Sequence, residues 1–193
     1  MILGIIRGAT TDNILPVIEA AMAGGIKELE ITLNSPNSLE QIAMATKRFP
    51  VGAGTVLNVR DAKAAVAAGA SFIVSPITDP DTIAFCRKKG IPVYPGALTP
   101  NEVYCAWELG ATMVKVFPIK AVGDPDYIKE LKGPFNDIKL LACGGVTPQN
   151  IKQFFAAGAA AVAIGASVFN HELMNNGKFS EIEKKIKELM AAL

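Results

Sequence analysis

Apolar residues in this chain are gathered in short runs. Between the runs lie stretches in which apolar positions recur at helical spacing among polar and charged residues. One phrase repeats: a helical segment, a small-residue corner containing glycine, then a short apolar strand. It occurs as AGGIKELEIT, AAGASFIVS, KKGIPVYPG, ELGATMVKVF and AAGAAAVAIG. Gly69, Gly90 and Gly110 in these corners fall about 20 residues apart, the length of one strand–helix unit. Glycine just past a helix C-terminus is the expected left-handed cap.

Helix starts are also legible. Ser35-Pro36, Asp79-Pro80, Thr99-Pro100, Asp124-Pro125 and Thr147-Pro148 each place a capping residue before a proline at the first helical position. Thr99-Pro100-Asn101-Glu102 has the form of a complete capping box. The pattern predicts eight strands near 2–6, 27–32, 50–54, 71–75, 91–95, 112–117, 138–142 and 161–165, with a charged amphipathic helix near 178–192 closing the chain. Eight alternating strand–helix units predict an α/β fold of the (β/α)8 TIM-barrel type, with tight loops because the chain is short for that fold. A doubly wound open sheet is the alternative that the same alternation allows.

With 193 residues, the chain suits one domain, 1–193, with a substantial core. Half of it is apolar and the mean hydropathy is +0.32, yet no uncharged apolar run approaches the ~18 residues of a membrane span. Short apolar runs fit strands buried on both faces, together with a subunit interface. The net charge is +1, without a basic or acidic block, so neither nucleic acid nor a membrane surface is an expected partner. Cys86, Cys105 and Cys143 form no CxxC pair, and with the single His171 they make no metal-ligand cluster. Isolated thiols and an N-terminus without signal-peptide character point to a cytoplasmic protein.

The candidate chemistry lies at the C-terminal ends of the strands, where barrel sites assemble. Lys115 stands in the apolar run Met113-Val114-Lys115-Val116-Phe117-Pro118. An ammonium there is costly to desolvate, and a neutral lysine amine attacks carbonyls to form a Schiff base. Alternation turns Val114 and Val116 toward the helices, and Met113, Lys115 and Phe117 toward the barrel axis. By the same rule Leu29 and Ile31 face out, while Glu30 and Thr32 face in. The pair Lys115 and Glu30 is open to two readings. It is either a buried ion pair, which contributes little net stability, or a nucleophile with a proton shuttle. Arg7 ends the first strand, Thr55 the third, Ser75-Pro76 the fourth and Pro95-Gly96 the fifth.

Two late loops carry a second signal. Cys143-Gly144-Gly145-Val146-Thr147-Pro148 and Ile164-Gly165-Ala166-Ser167 each lead from a strand into a helix. Glycine there lets backbone N–H groups approach an anion, at the place where barrel enzymes bind phosphate. Packing turns with no ligand are the alternative. Together these features describe a lysine-dependent lyase for a phosphorylated keto compound, without a metal or other cofactor.

The strings IIRG, EITLNSP, VGAGTVL, FIVSP, PGALTPNE, VKVFP, GPF, GGVTPQN and AIGAS, in this order over nearly the whole chain, resemble the 2-keto-3-deoxy-6-phosphogluconate aldolases with their 6-phosphogalactonate and 4-hydroxy-2-oxoglutarate relatives. The resemblance implies that Lys115 forms the Schiff base and Glu30 shuttles protons. It implies that Arg7 and Thr55 line the keto-acid site, bordered by Pro76 and Pro95. Phe117 and Cys143 fall within the same site. Phosphate would be bound by Gly144, Gly145, Gly165, Ala166 and Ser167. The family is a cofactor-free homotrimer acting on a small keto-acid phosphate.

Three positions depart from the family pattern. Asn34 stands where some members have arginine, and LNSP is closer to the galactonate branch. Cys143 replaces the threonine of gluconate enzymes and the valine of galactonate ones, which leaves the C4 stereochemistry open. The chain also starts at its first strand, where many relatives have a short helix covering the barrel bottom. Rival functions are a sugar-phosphate epimerase or thiamin phosphate synthase type of barrel, or a non-catalytic phospho-ligand-binding barrel. His171 is expected at the surface, Tyr104 and Trp107 in a core or interface, and Cys86 and Cys105 buried on helices.

Overall fold

A computed structural model describes residues 1–193. Its strands are β1 Ile2–Ile6, β2 Glu28–Thr32, β3 Gly52–Gly54, β4 Ile73–Val74, β5 Val93–Tyr94, β6 Gly96–Ala97, β7 Val114–Val116, β8 Leu140–Cys143 and β9 Ala161–Ile164. All pairings are parallel, in the order β5-β4-β3-β2-β1-β9-β8-β7-β6. The two ends of this order, β5 and β6, are consecutive in the chain and separated only by Pro95. The sheet therefore curls round until its ends meet at a proline, forming a nearly closed barrel. The eight strands expected from the sequence are present, with the fifth split in two. Its first half pairs with β4, and the Pro95 carbonyl accepts from the Lys115 N–H at 2.8 Å on the other side.

The helices are α1 Ile14–Gly24, α2 Ser38–Ala45, α3 Val59–Ala67, α4 Pro80–Lys89, α5 Pro100–Glu108, α6 Asp124–Lys132, α7 Ile151–Ala156, α8 His171–Asn175 and α9 Phe179–Ala191. A 3-10 turn, Ile119–Ala121, follows β7. The Asp79 carboxylate caps α4 by accepting from the Thr82 N–H, and Thr99 with Glu102 forms the full capping box of α5. The other three proline signals are displaced. Asn37, in the left-handed region at φ 50°, precedes α2, so Ser35 is released for other bonds. Gly123 precedes α6, and Asp124 is already its first residue, at φ 54°. Asn150 precedes α7 and holds the loop by accepting from the Thr147 N–H at 2.8 Å.

Burial splits the strands into two faces, as alternation requires. Leu29, Ile31, Val114 and Val116 join the outer core against the helices. Leu3, Phe72, Val74, Tyr94, Met113, Leu141, Cys143, Ala161 and Ala163 fill the barrel interior. Small residues make room for large ones: a Cβ on Gly52 would fall 2.3 Å from the Phe72 ring. The interior apolar plug leaves its upper end to Glu30 and Lys115.

At the bottom of the barrel, α9 packs along α1, and Met190 lies over Gly25. An open apolar recess there is lined by Met1, Ile2, Ile26, Phe155, Met190 and Leu193. Cys86 is buried as expected, whereas Cys105 is exposed because it lies on the solvent side of α5. Trp107 packs partly against the core, and Tyr104 stacks at 6.0 Å on Phe135 while remaining half exposed. No helix is long and apolar enough to cross a membrane.

Candidate active site

Lys115 projects from β7 into the barrel and is 6 % exposed; Glu30 projects from β2 and is 1 % exposed. Burial pushes the Glu30 carboxyl above its ordinary range, while the positive charges of Lys115 and Arg7 act in the opposite direction. The Glu30 Oε2 atom is buried without a hydrogen-bond partner. A buried acceptor in that condition is costly in a merely structural pair. It is suited to a group that takes its partner from a ligand.

Cys143, at the end of β8, is buried in the same interior cluster. Burial raises its thiol, the Lys115 charge opposes that shift, and the Glu30 charge adds to it. All three side chains thus sense one another across the barrel. The Phe117 ring lies 5.1 Å from Lys115 Nζ, within cation–π range, and is 39 % exposed. It stands at the mouth of the barrel.

Arg7, just beyond β1, is exposed at the rim. Its Nη1 donates to Asn34 Oδ1 and its Nη2 donates to Thr55 Oγ1 at 3.2 Å. Both partners are neutral, so the guanidinium charge is held in place without being cancelled. Thr55 adopts φ 56°, an uncommon conformation for a threonine. The adjoining Gly8 N–H donates to Ser35 Oγ, which also hydrogen bonds to Thr32 Oγ1. Ser35 therefore braces the Arg7 loop against β2.

Pro76 and Pro95 flank Gly96, where a Cβ would fall 2.3 Å from the Pro76 carbonyl. Only glycine permits that approach, and Pro76, Gly96 and Phe117 line one recess at the rim. On the adjacent strands, Gly144 and Gly145 both have positive φ (106° and 78°), and Asn150 Nδ2 donates to the Gly145 carbonyl. Ala166 and Ser167 are exposed beyond β9, with Gly165 partly so. The loop after β9 lies next to Arg7 because β9 pairs with β1, and the double-glycine loop after β8 lies one strand further round. His171 is exposed, but its ring also covers Gly8, where a Cβ would lie 2.0 Å from Cε1.

The sequence-predicted residues thus converge on one end of the barrel. Three contributors had no assigned role: Asn34, which anchors Arg7; Gly54, whose missing side chain leaves space for Glu30; and Asn150, which braces the double-glycine loop. The signal for the first two lies in EITLNSP and VGAGTVL, where they adjoin residues already singled out. Nowhere do three His, Cys, Asp or Glu side chains gather as a metal ion would require.

A lysine enclosed in a parallel barrel, facing a carboxylate with a free oxygen, and an arginine at the rim define an aldehyde-lyase of the Schiff-base type. The family model described as KDPG and KHG aldolase matches residues 1–185, and the chain belongs to that family. It is 36 % identical over 173 residues to the 2-dehydro-3-deoxy-6-phosphogalactonate aldolase of Escherichia coli K12, covering 87 % of this chain and 84 % of the relative. A solved structure described as native KDPGal superposes with a TM-score of 0.92 at 32 % identity, over 99 % of this chain and 93 % of that one. The KDPG aldolase of Legionella pneumophila, solved with pyruvate captured as a covalent carbinolamine, superposes with a TM-score of 0.91 at 28 % identity, over 97 % and 93 %.

Proposed function

We propose that this chain, acting as a single barrel domain over residues 1–193, cleaves a 2-keto-3-deoxy-6-phospho sugar acid of the gluconate or galactonate series. The products are pyruvate and glyceraldehyde 3-phosphate. The same site would cleave 4-hydroxy-2-oxoglutarate to pyruvate and glyoxylate. The observation that carries this proposal is the enclosure of Lys115 opposite Glu30, whose Oε2 has no protein partner.

The Lys115 amine attacks the C2 ketone through its nitrogen lone pair, and the carbinolamine loses water to give an iminium. Glu30, directly or through a water, takes the C4 hydroxyl proton. The C3–C4 bond breaks, its electrons flow into the iminium, and the aldehyde departs. The enamine left on Lys115 is protonated at C3, and water releases pyruvate. Arg7, held by Asn34 and Thr55, pairs with the substrate carboxylate. Pro76, Pro95, Phe117 and Cys143 wall the keto-acid site. Gly144, Gly145, Gly165, Ala166 and Ser167 receive the phosphate.

A homotrimer in the cytoplasm suits the chain. Leu39, Leu57, Ile77 and Tyr104 are large apolar side chains left exposed, which is support for a subunit interface. Light scattering on the purified protein tests the assembly.

Borohydride trapping with pyruvate, followed by peptide mass spectrometry, tests the chemistry. A reduced adduct on Lys115, lost together with turnover in a folded Lys115→Ala variant, is the expected result. A folded wild-type protein that gives no adduct would overturn the aldolase assignment in favour of a phosphate-binding barrel with other chemistry, or of a non-catalytic binding barrel.

A further inference from the structure

The two loops assigned to phosphate, Cys143-Gly144-Gly145-Val146 and Ile164-Gly165-Ala166-Ser167, contain no positive side chain. Backbone N–H groups alone would leave much of a phosphate dianion uncompensated. One cation lies directly against them. A Cβ on Gly145 would fall 3.1 Å from Lys120 Cβ and 3.3 Å from its Cγ and Cδ, so the aliphatic stem of Lys120 runs along the Gly145 backbone. Gly144 abuts the same turn, since a Cβ there would lie 3.8 Å from the Ile119 N atom. Ile119 is fully buried and pins the turn, while Lys120 itself is exposed.

The Lys120 ammonium is not engaged elsewhere. It takes part in none of the chain's ion pairs, and Asp124, one helical turn further on, is not within pairing distance. A long stem laid on glycine with a free head at the rim is the arrangement by which lysine presents a mobile point charge. We infer that Lys120 binds the substrate phosphate from above the Gly144-Gly145 loop and sets the preference for phosphorylated over unphosphorylated keto acids. This inference rests on the phosphate-cradle assignment made above. The 3-10 turn after Phe117-Pro118 then links both ends of the substrate: Lys115 takes the ketone, and Lys120, on the same short segment, takes the phosphate.

The test uses the full-length enzyme with inorganic phosphate as a competitive probe, alongside the KM for the phosphorylated sugar acid. Lys120→Ala is expected to weaken phosphate inhibition and raise that KM by about tenfold, the effect of losing one charge-assisted contact. Lys120→Arg is expected to retain most of both. Pyruvate, which carries no phosphate, should still trap on Lys115 in either variant, which also reports that the site is folded. If phosphate inhibits wild type and Lys120→Ala to within about twofold of each other, the role of Lys120 is overturned while the cradle stands. If phosphate does not inhibit the wild type and Ser167→Ala leaves the KM unaltered, the cradle is overturned, and Lys120's role with it. Trapping on Lys115 would still uphold the aldolase chemistry.

Discussion

Gly54 and Glu30 occupy a shared space: a Cβ on Gly54 would fall 2.2 Å from Glu30 Oε1 and 2.5 Å from its Cδ. The two residues sit on neighbouring strands, with Gly54 in register with Thr32 and Glu30 with Gly52. The carboxylate is the far end of a flexible side chain, whereas the strand backbone is fixed by the ladder. A methyl group at position 54 would therefore move the carboxylate rather than the barrel. Gly54→Ala is expected to lower kcat by about 10², the typical contribution of a positioned proton-transfer group. Pyruvate trapping on Lys115 and the circular dichroism spectrum should survive. A variant with wild-type kcat would show that Glu30 is not the proton shuttle.

Asn34 and Thr55 hold Arg7 from two different strand ends. Removing either acceptor should let the exposed guanidinium wander. Asn34→Ala is expected to lower kcat/KM by about tenfold, within the range for a hydrogen bond to a charged group. The effect should vanish in an Arg7→Ala background, because Asn34 is expected to act only through Arg7. A double-mutant cycle reads this directly. Additive losses would mean that Asn34 contacts substrate itself.

The capping box of α5 offers a stability test away from the chemistry. Thr99 Oγ1 accepts from the Glu102 N–H at 3.3 Å, and Glu102 Oε2 accepts from the Leu98 and Thr99 N–H groups at 2.9 and 2.8 Å. Those bonds hold the Glu102 carboxyl below its usual range. Thr99→Ala is expected to cost about 1 kcal/mol in urea unfolding, as for other N-caps. Its aldolase kinetics should match wild type, and a change in kcat would show that α5 is coupled to the site.

The two-faced alternation of Met113 to Phe117 was legible because parallel strands bury both faces, and period two then separates core from interior. Asp79 and Thr99 were legible as caps because their side chains act within three residues. Ser35, Asp124 and Thr147 carry the same capping-residue–proline signature, yet none of them is the residue that precedes its helix as the cap. Ser35 is drawn to Gly8, which lies 27 residues away. Asn34 at Arg7, Gly54 beneath Glu30 and Lys120 on Gly145 are likewise relations across strands. Local spacing does not encode such relations; barrel closure creates them. The split of the fifth strand at Pro95 belongs to this group, since it depends on where the two ends of the sheet meet.

The acidity of Glu30 makes the pH profile informative. Burial raises its carboxyl, and the charges of Lys115 and Arg7 only partly oppose that shift. As a base, Glu30 must be ionised, so activity is lost as pH falls through its raised value. The acid limb of kcat should therefore lie above the ~4.3 of an ordinary glutamate. Glu30→Gln should remove this limb and slow cleavage by about 10² at neutral pH. Substituting Arg7 removes one of the two opposing charges and should move the limb further toward neutrality. A wild-type limb at or below the ordinary glutamate value would mean that Glu30 ionises as if solvated. The buried carboxylate would then not be the group that takes the C4 hydroxyl proton.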